Sequence, residues 1–139
     1  MYVVCPAPTT SQSPNATTAL APRTIDCGKS DLRPQPQGPY DAVAQQCFWN
    51  AYSAGKPAPW SVVKYTTEGD PTPETLTFAS GAIVMTRDMT RDAFSAQPDR
   101  RVWTWRCATV SQHPWATDPQ RSFFELGNCF GDGTTTSFP

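Results

Sequence analysis

His113 is the single histidine of this 139-residue chain, so any catalytic serine–histidine or cysteine–histidine pair would have to include it. It lies in the segment S-Q-H-P-W at residues 111–115, which has the character of a loop and lacks a glycine-flanked serine turn. A partner such as Ser111 is not distinguished from the many other serines and threonines. A histidine in a surface turn is the simpler interpretation, and a small secreted hydrolase using His113 is kept as an alternative.

Asp88, Thr90 and Asp92 alternate along the chain, so an extended backbone would place their oxygen atoms on one side. Such oxygens are ligands for hard cations, but the glycine and the distal glutamate of a calcium loop are missing. Side-chain turns, with Arg87 and Arg91 balancing the charge, explain the segment as well. We therefore predict no metal and no cofactor. The two carboxylates could also serve as a glycosidase pair, and they belong to the same hydrolase alternative.

Three tryptophans are candidates for a binding surface. Trp49 lies off the main apolar stripe of a predicted helix, Trp60 follows a proline-rich bend, and Trp115 lies in a predicted loop. Exposed aromatic side chains of this kind mark surfaces for a protein partner or a glycan. Together with Asp88 and Asp92, these tryptophans form the predicted binding surface.

Basic and aromatic residues also alternate at Arg101, Trp103, Trp105 and Arg106, as they do on surfaces that bind single-stranded nucleic acid. In a strand, however, Trp103 and Trp105 would share a face with Cys107, which we assign to the core, and Arg106 would point the other way. The formal net charge of −1 gives no electrostatic support either. We expect no nucleic-acid binding.

Five widely spaced cysteines are many for a chain of this length. No two of them form a C-x-x-C pair, and with one histidine their spacing fits no zinc site. Widely spread single cysteines favour structural disulfides in an oxidising compartment, with buried free thiols as the alternative. The cysteines are Cys5, Cys27, Cys47, Cys107 and Cys129.

Residues 1–26 are predicted to form a flexible tether rich in threonine, proline and serine, and residues 27–139 a single globular domain. Cys5 stands directly before this tether, as the lipid-bearing cysteine does at the mature start of a bacterial lipoprotein. A lipid on Cys5 would tether the protein to a membrane, and an unpaired Cys5 is the alternative. No apolar run reaches 18 residues, so we expect no transmembrane segment.

The best-punctuated element is a helix predicted within residues 38–57. Pro39 suits the first helical position, Gly55 suits a left-handed C-terminal cap, and Pro57 prevents continuation. The predicted apolar face consists of Tyr40, Val43, Ala44, Cys47, Phe48 and Ala51.

Alternating or β-branched segments after the helix predict strands. The result is an α+β fold in which one main helix packs on a four- or five-stranded antiparallel sheet, stapled by disulfides. The predicted strands cover residues 60–67, 72–79, 82–86, 101–110 and 122–130, the last broken at Gly127, with a loop at 112–120 and a frayed tail at 131–139.

Cys47 lies on the apolar helix face, and Cys107 lies on the tryptophan face of the 101–110 strand. Because both should point into one core, a Cys47–Cys107 bridge is the first pairing that we predict. Cys27 and Cys129 then pair by elimination. Four cysteines allow three pairings, so the other two stay open.

Several motifs between residues 40 and 107 occur together: C-F-W-N-A-Y-S-A-G-K-P-A at 47–58, E-G-D-P at 68–71 and D-M-T-R-D-A-F at 88–94, followed by a strand with one cysteine. In this combination the chain resembles a poorly characterised group of bacterial secreted proteins and lipoproteins. The resemblance implies an exported bacterial domain with a Cys47–Cys107 bridge. It implies no particular activity or catalytic residues.

These observations favour an exported, non-enzymatic binding domain, secreted or held at the bacterial cell surface, whose protein or ligand partner the sequence does not identify. The loops at 68–71, 86–94 and 111–120 are the expected working surface. A structural subunit of a surface assembly is a further alternative, since the tether and the low charge suit it equally.

Overall fold

The computed structural model describes residues 21–33, 41–131 and 137–139. Within these ranges the chain forms an α-helix, α1 (Ala42–Ser53), a short 3₁₀ helix (Gln97–Asp99) and nine strands. The strands are β1 (Lys29–Asp31), β2 (Ala58–Tyr65), β3 (Pro71–Ala79), β4 (Ala82–Asp88), β5 (Val102–Cys107), β6 (Thr109–Pro114), β7 (Ser122–Gly127), β8 (Phe130–Gly131) and β9 (Ser137–Phe138).

The strands form two sheets. The larger sheet has six strands in the order β1-β2-β3-β4-β5-β8, and its neighbours are antiparallel except for the parallel pair β1 and β2. The smaller sheet has three antiparallel strands in the order β6-β7-β9. The predicted α+β class, with one main helix, a mostly antiparallel sheet and disulfides, is confirmed.

The described strands outnumber the five predicted ones because two predicted strands each divide between the sheets and because β1 and β9 lie outside the predicted strands. The 101–110 strand divides into β5 and β6, and Ala108 between them donates its backbone N–H to the carbonyl of Gly127 at 3.1 Å. The 122–130 strand divides at Gly127, as the sequence predicts, and Asn128 then turns the chain with a φ of 53°. The chain therefore passes between the sheets at two adjacent points.

Two segments predicted to be irregular contribute strands to the smaller sheet. β6 reaches Pro114, inside the predicted loop at 112–120. β9 lies inside the predicted frayed tail, and its Phe138 is only 1% exposed, with its ring centroid 5.0 Å from that of Trp60. Burial of this large ring gives the end of the chain a stabilising contact that the flanking polar residues do not indicate.

Local signals set both ends of α1. Asp41 is the N-cap, and its carboxylate accepts the backbone N–H of Ala44 at 3.0 Å. At the other end Gly55 has a φ of 64°, as predicted, and Lys56 donates its backbone N–H to the carbonyl of Ala51 at 2.9 Å. The predicted first helical residue, Pro39, lies outside the described residues.

The buried face of α1 differs from the predicted one. Val43 is 83% exposed, whereas Gln45 is buried with Phe48. The side-chain amide of Gln45 donates to the carbonyl of Ser122 at 2.7 Å, and its oxygen accepts the Ser122 hydroxyl at 2.6 Å. These two bonds satisfy a polar side chain inside the protein, so the helix turns Gln45 rather than Val43 towards the smaller sheet.

Aromatic side chains join the helix and both sheets in one core. Phe48 of α1 and Trp60 of β2 both contact Phe124 of β7, with ring centroids 5.6 Å and 6.1 Å away respectively. Phe138 of β9 completes the group against Trp60. The smaller sheet therefore packs over the helix and the larger sheet instead of extending that sheet.

All four predicted disulfide cysteines are paired, but the predicted pairing is wrong. The bonds are Cys27–Cys47 and Cys107–Cys129. The segment before β1 runs beside the start of β2, where Ile25 donates its N–H to the carbonyl of Pro57 at 2.7 Å. This path brings Cys27 next to the helix, so Cys47 forms its disulfide with Cys27 and not with Cys107. Cys5 lies outside the described residues.

Candidate functional site

Trp60 is wrong as a predicted surface residue. Its side chain is 1% exposed in the aromatic core, and its indole N–H donates to the hydroxyl of Ser30 at 3.0 Å. The Ser30 hydroxyl in turn donates to the carboxylate of Asp41, the helix cap. Trp60 therefore links β1, β2 and the start of the helix.

Trp49 lies half-buried at the margin of the same core. Its ring stacks on Phe124, with centroids 5.8 Å apart and planes 25° apart, and it also contacts Tyr52. The hydroxyl of Tyr52 accepts the backbone N–H of Val110 at 3.3 Å. These contacts give Trp49 a packing role between the helix and the smaller sheet.

Asp88 and Asp92 each organise the backbone that follows them. Asp88 accepts the hydroxyl and the backbone N–H of Thr90 at 2.6 Å and 2.9 Å. Asp92 accepts the Ser95 hydroxyl at 2.5 Å and the backbone N–H groups of Phe94 and Ser95. The pKa of each carboxyl is lowered from its ordinary value. The main cause is the hydrogen bond from the Thr90 hydroxyl for Asp88 and from the Ser95 hydroxyl for Asp92.

The 68–71 turn and the 88–94 segment, which both belong to the resemblance, contact each other. The Asp70 carboxylate accepts the backbone N–H of Ala93 at 2.8 Å, and the guanidinium of Arg100 donates to the carbonyls of Ala93 and Ser95.

Among the described residues, no group of three histidine, cysteine, aspartate or glutamate side chains could hold a metal ion.

His113 contacts two polar side chains on the outer face of the smaller sheet. Its Nε2 atom lies 3.0 Å from the Ser111 hydroxyl and 3.1 Å from a carboxylate oxygen of Glu125. In a serine hydrolase the serine and the carboxylate contact opposite ring nitrogens, so that the carboxylate orients the base. Here both compete for one nitrogen, and the arrangement does not form that relay. Glu125 was identifiable only through the register that places it opposite Ser111.

A cavity of about 510 Å³ opens between the smaller sheet and the end of β2. Its described wall is mainly apolar and includes Leu32, Trp115, Phe123 and Phe138. Volumes of 300–1,000 Å³ with a few polar groups are typical of small-molecule sites. Of the five residues predicted to bind, Trp115 is the one that lines this cavity, and the others lie apart from its described wall.

Hydrogen bonds hold the Trp115 loop, residues 115–121 between β6 and β7, in place. Trp115 donates its backbone N–H to the carbonyl of Arg121 at 2.9 Å, which closes the connection between β6 and β7. Within that loop the Arg121 guanidinium lies 3.1 Å from the carboxylate of Asp118. The hydrogen bond between its two ends fixes the loop, and its first three residues, Trp115, Ala116 and Thr117, line the cavity.

Lys64 is the charged residue in the described wall. Its ammonium lies 3.2 Å and 3.4 Å from the two carboxylate oxygens of Glu74, which is only 1% exposed. Arg87 contacts the same carboxylate at 2.5 Å, and its guanidinium also lies over the ring of Trp105. Two cations therefore accompany a carboxylate that would otherwise be costly to bury.

The sequence analysis does not identify Glu74 and Lys64, although the alternation along their strands places both on the buried face. Glu74 has the same parity as Leu76 and Phe78, the predicted apolar face of its strand. Lys64 likewise has the parity of the buried Val62. A charged residue at such a position indicates a buried ion pair.

Comparisons of the chain with protein-family models, with curated proteins and with solved structures found no match. The resemblance to bacterial secreted proteins and lipoproteins therefore stays a prediction. In the described ranges, no helix has the length and apolar character needed to cross a membrane.

Proposed function

We propose that this chain is an exported bacterial binding domain, without catalytic activity, that holds a small and largely apolar ligand in the cavity beside Trp115. The observation that carries the proposal is the cavity itself, about 510 Å³ with a mainly apolar described wall. An apolar concavity of this size gains free energy when a ligand replaces water against its wall.

The construction of the wall supports a binding role. Trp115 comes from the loop that joins β6 to β7, Phe123 comes from the start of β7, and Phe138 comes from β9. Because Phe138 is also part of the aromatic core, the cavity floor is fixed by the packing of the fold. A site on a packed floor needs little rearrangement to accept a ligand, which favours binding.

The disulfides support the exported location. Two bonds, Cys27–Cys47 and Cys107–Cys129, join elements of the described domain. Structural disulfides persist in secreted and periplasmic compartments and are rare in the cytosol. The motifs between residues 40 and 107 support the same location through the resemblance to bacterial exported proteins.

The test uses N-phenyl-1-naphthylamine, a neutral probe whose fluorescence rises in apolar surroundings. We expect saturable binding with one site per chain. In the variant Ala116→Trp a large side chain enters the cavity mouth, and affinity should fall by about ten-fold or more, the equivalent of roughly 1.4 kcal/mol. Phe94→Ala removes an aromatic ring that is 74% exposed and outside the described wall, so it serves as the matched control.

Equal affinity in Ala116→Trp and the wild type would place the probe elsewhere and overturn the assignment of the cavity. Absence of saturable binding in the wild type would overturn the proposal for small apolar ligands altogether. Circular dichroism of each variant shows that a lost signal does not come from unfolding.

A further inference from the structure

The cavity residue Lys64 shares one buried carboxylate, that of Glu74, with a second cation. Glu74 lies on the inner face of β3, and the side chains of Lys64 on β2 and Arg87 on β4 reach it from the two neighbouring strands. Glu74 carries one negative charge, so the group of three carries one surplus positive charge.

Arg87 and Lys64 do not hold Glu74 in the same way. Arg87 makes the shorter contact, 2.5 Å, and its guanidinium also lies 5.7 Å from the centre of the Trp105 ring. Lys64 makes contacts of 3.2 Å and 3.4 Å, its side chain is 36% exposed, and it lines the cavity. Arg87 therefore neutralises Glu74, and the Lys64 ammonium keeps the capacity to donate to a second anion.

We propose that the cavity selects a small amphipathic anion, an organic carboxylate with an apolar body, and that Lys64 binds the carboxylate of this ligand. The inference rests on the proposed function, since it names the ligand class of the same cavity. The apolar body would lie against Trp115, Phe123 and Phe138. The ligand carboxylate would take up the surplus positive charge and reduce the repulsion between Lys64 and Arg87.

Three ligands separate the head group from the tail: octanoate, 1-octanol and octylammonium each contain eight carbons and differ chiefly in the head group. Calorimetric titration of the full chain at neutral pH should give octanoate the highest affinity, about ten-fold above 1-octanol, and octylammonium the lowest. Raising the salt concentration should weaken octanoate binding more than 1-octanol binding, because salt screens a partly exposed ion pair.

Lys64→Met removes the ammonium and leaves Glu74 paired with Arg87, so the preference for octanoate over 1-octanol should disappear. Lys64→Arg retains a positive charge at that position and should retain the preference. Lys56→Met removes an exposed lysine after the helix that is absent from the described wall, and it should behave as the wild type.

The outcomes distinguish the two proposals. If none of the three ligands binds the wild type, the cavity is not a small-molecule site of this kind and the proposed function falls with the inference. If all three bind with similar affinity, the cavity is a site but the selection of an anion is overturned. A preference for octanoate that survives in folded Lys64→Met would assign the anion to another group and would overturn the role of Lys64.

Discussion

Cys107 and Cys129 form a disulfide at the two adjacent points where the chain passes between the sheets. Cys107 is the last residue of β5, and Cys129 directly precedes β8, the next strand of the same sheet. The other disulfide, Cys27–Cys47, holds the segment before β1 against the helix. Each bond therefore fixes a place where the chain changes direction between layers.

Non-reducing peptide mapping should recover these two bonds. Trypsin does not cleave before proline, so the sequence predicts a Cys27 peptide of residues 24–29 and a Cys47 peptide of residues 30–64. The second bond should link peptides 107–121 and 122–139. A mass corresponding to peptide 30–64 linked to peptide 107–121 would contradict the structure and restore the Cys47–Cys107 pairing.

Removal of the Cys107–Cys129 bond should destabilise the domain. The bond joins residues 22 apart, and the chain-entropy model gives about 3 kcal/mol for a loop of this size. We expect the double variant Cys107→Ala/Cys129→Ala to lose roughly that much free energy of unfolding in urea titrations. The variant Cys27→Ala/Cys47→Ala retains the Cys107–Cys129 bond, and its chemical reduction should lower the free energy of unfolding further by a similar amount. No further loss on reduction would contradict the stabilising role of the Cys107–Cys129 bond.

Local signals predicted part of the fold, and long-range contacts set the rest. Asp41 and Gly55 mark the two ends of the helix through hydrogen bonds to residues within one turn. Because these contacts are local, the sequence alone predicts the cap at Gly55. By contrast, nothing in the alternating 101–110 segment indicates that the strand ends near Ala108. That break depends on the bond from Ala108 to Gly127, a partner that no local pattern identifies.

The candidate site was only partly readable for the same reason. Trp115 was predicted because an aromatic residue in a polar loop suggests exposure. The small polar residues around Phe138 do not indicate that its ring is buried. Trp60 follows a bend, after which a side chain can face either way, and the prediction of an exposed Trp60 is therefore wrong. The cavity joins β2, the Trp115 loop and β9, and their proximity follows from sheet packing.

Glu74→Gln should destabilise the domain strongly. The change leaves the cations of Lys64 and Arg87 without their shared carboxylate at a site where Glu74 is almost fully buried. Breaking a buried ion pair on one side costs about 3–5 kcal/mol, and partial exposure of the two cations favours the lower end. Urea titration measures the loss, and Glu68→Gln, at an exposed residue in the turn before β3, is the matched control. A loss equal to that of the control would show that the three charges are not coupled to folding.

Phe138→Ala and Phe130→Ala should differ sharply although both remove the same ring near the end of the chain. Phe138 is 1% exposed against Trp60, whereas Phe130 is 78% exposed. Truncation of a buried phenylalanine costs about 3–5 kcal/mol, and truncation of an exposed one costs little. Thermal unfolding of both variants checks this. Similar melting temperatures would contradict the assignment of β9 to the core.

Ser111 should not behave as an activated nucleophile. Because Ser111 and Glu125 contact the same nitrogen of His113, the carboxylate does not hold the ring in the orientation that a general base requires. A fluorophosphonate probe should therefore label Ser111 no faster in the wild type than in His113→Gln, as measured by mass spectrometry. Rapid labelling of Ser111 that is lost in His113→Gln would instead support the hydrolase alternative.

Asp92 should contribute stability that is lost in acid. The Ser95 hydroxyl and the backbone N–H groups of Phe94 and Ser95 favour the ionised carboxylate, so its pKa in the folded protein lies below the ordinary value of 3.8. A group with a lowered folded-state pKa stabilises the fold at pH values above its unfolded-state pKa, and this stabilisation disappears as the pH falls through the folded-state pKa. Asp92→Asn should therefore be less stable than the wild type at neutral pH, and the difference should shrink below pH 3.8.

Ser95→Ala tests the cause of this pH dependence. Removing the hydroxyl takes away the contact that contributes most to lowering the Asp92 pKa, while both backbone N–H donors remain. The folded-state pKa of Asp92 should rise towards its ordinary value, so the stability that depends on its charge should decrease and disappear at a higher pH than in the wild type. Melting temperatures of the wild type, Asp92→Asn and Ser95→Ala across the acid range measure this. Parallel curves for all three proteins would mean that the Asp92 carboxylate does not couple its charge to the fold.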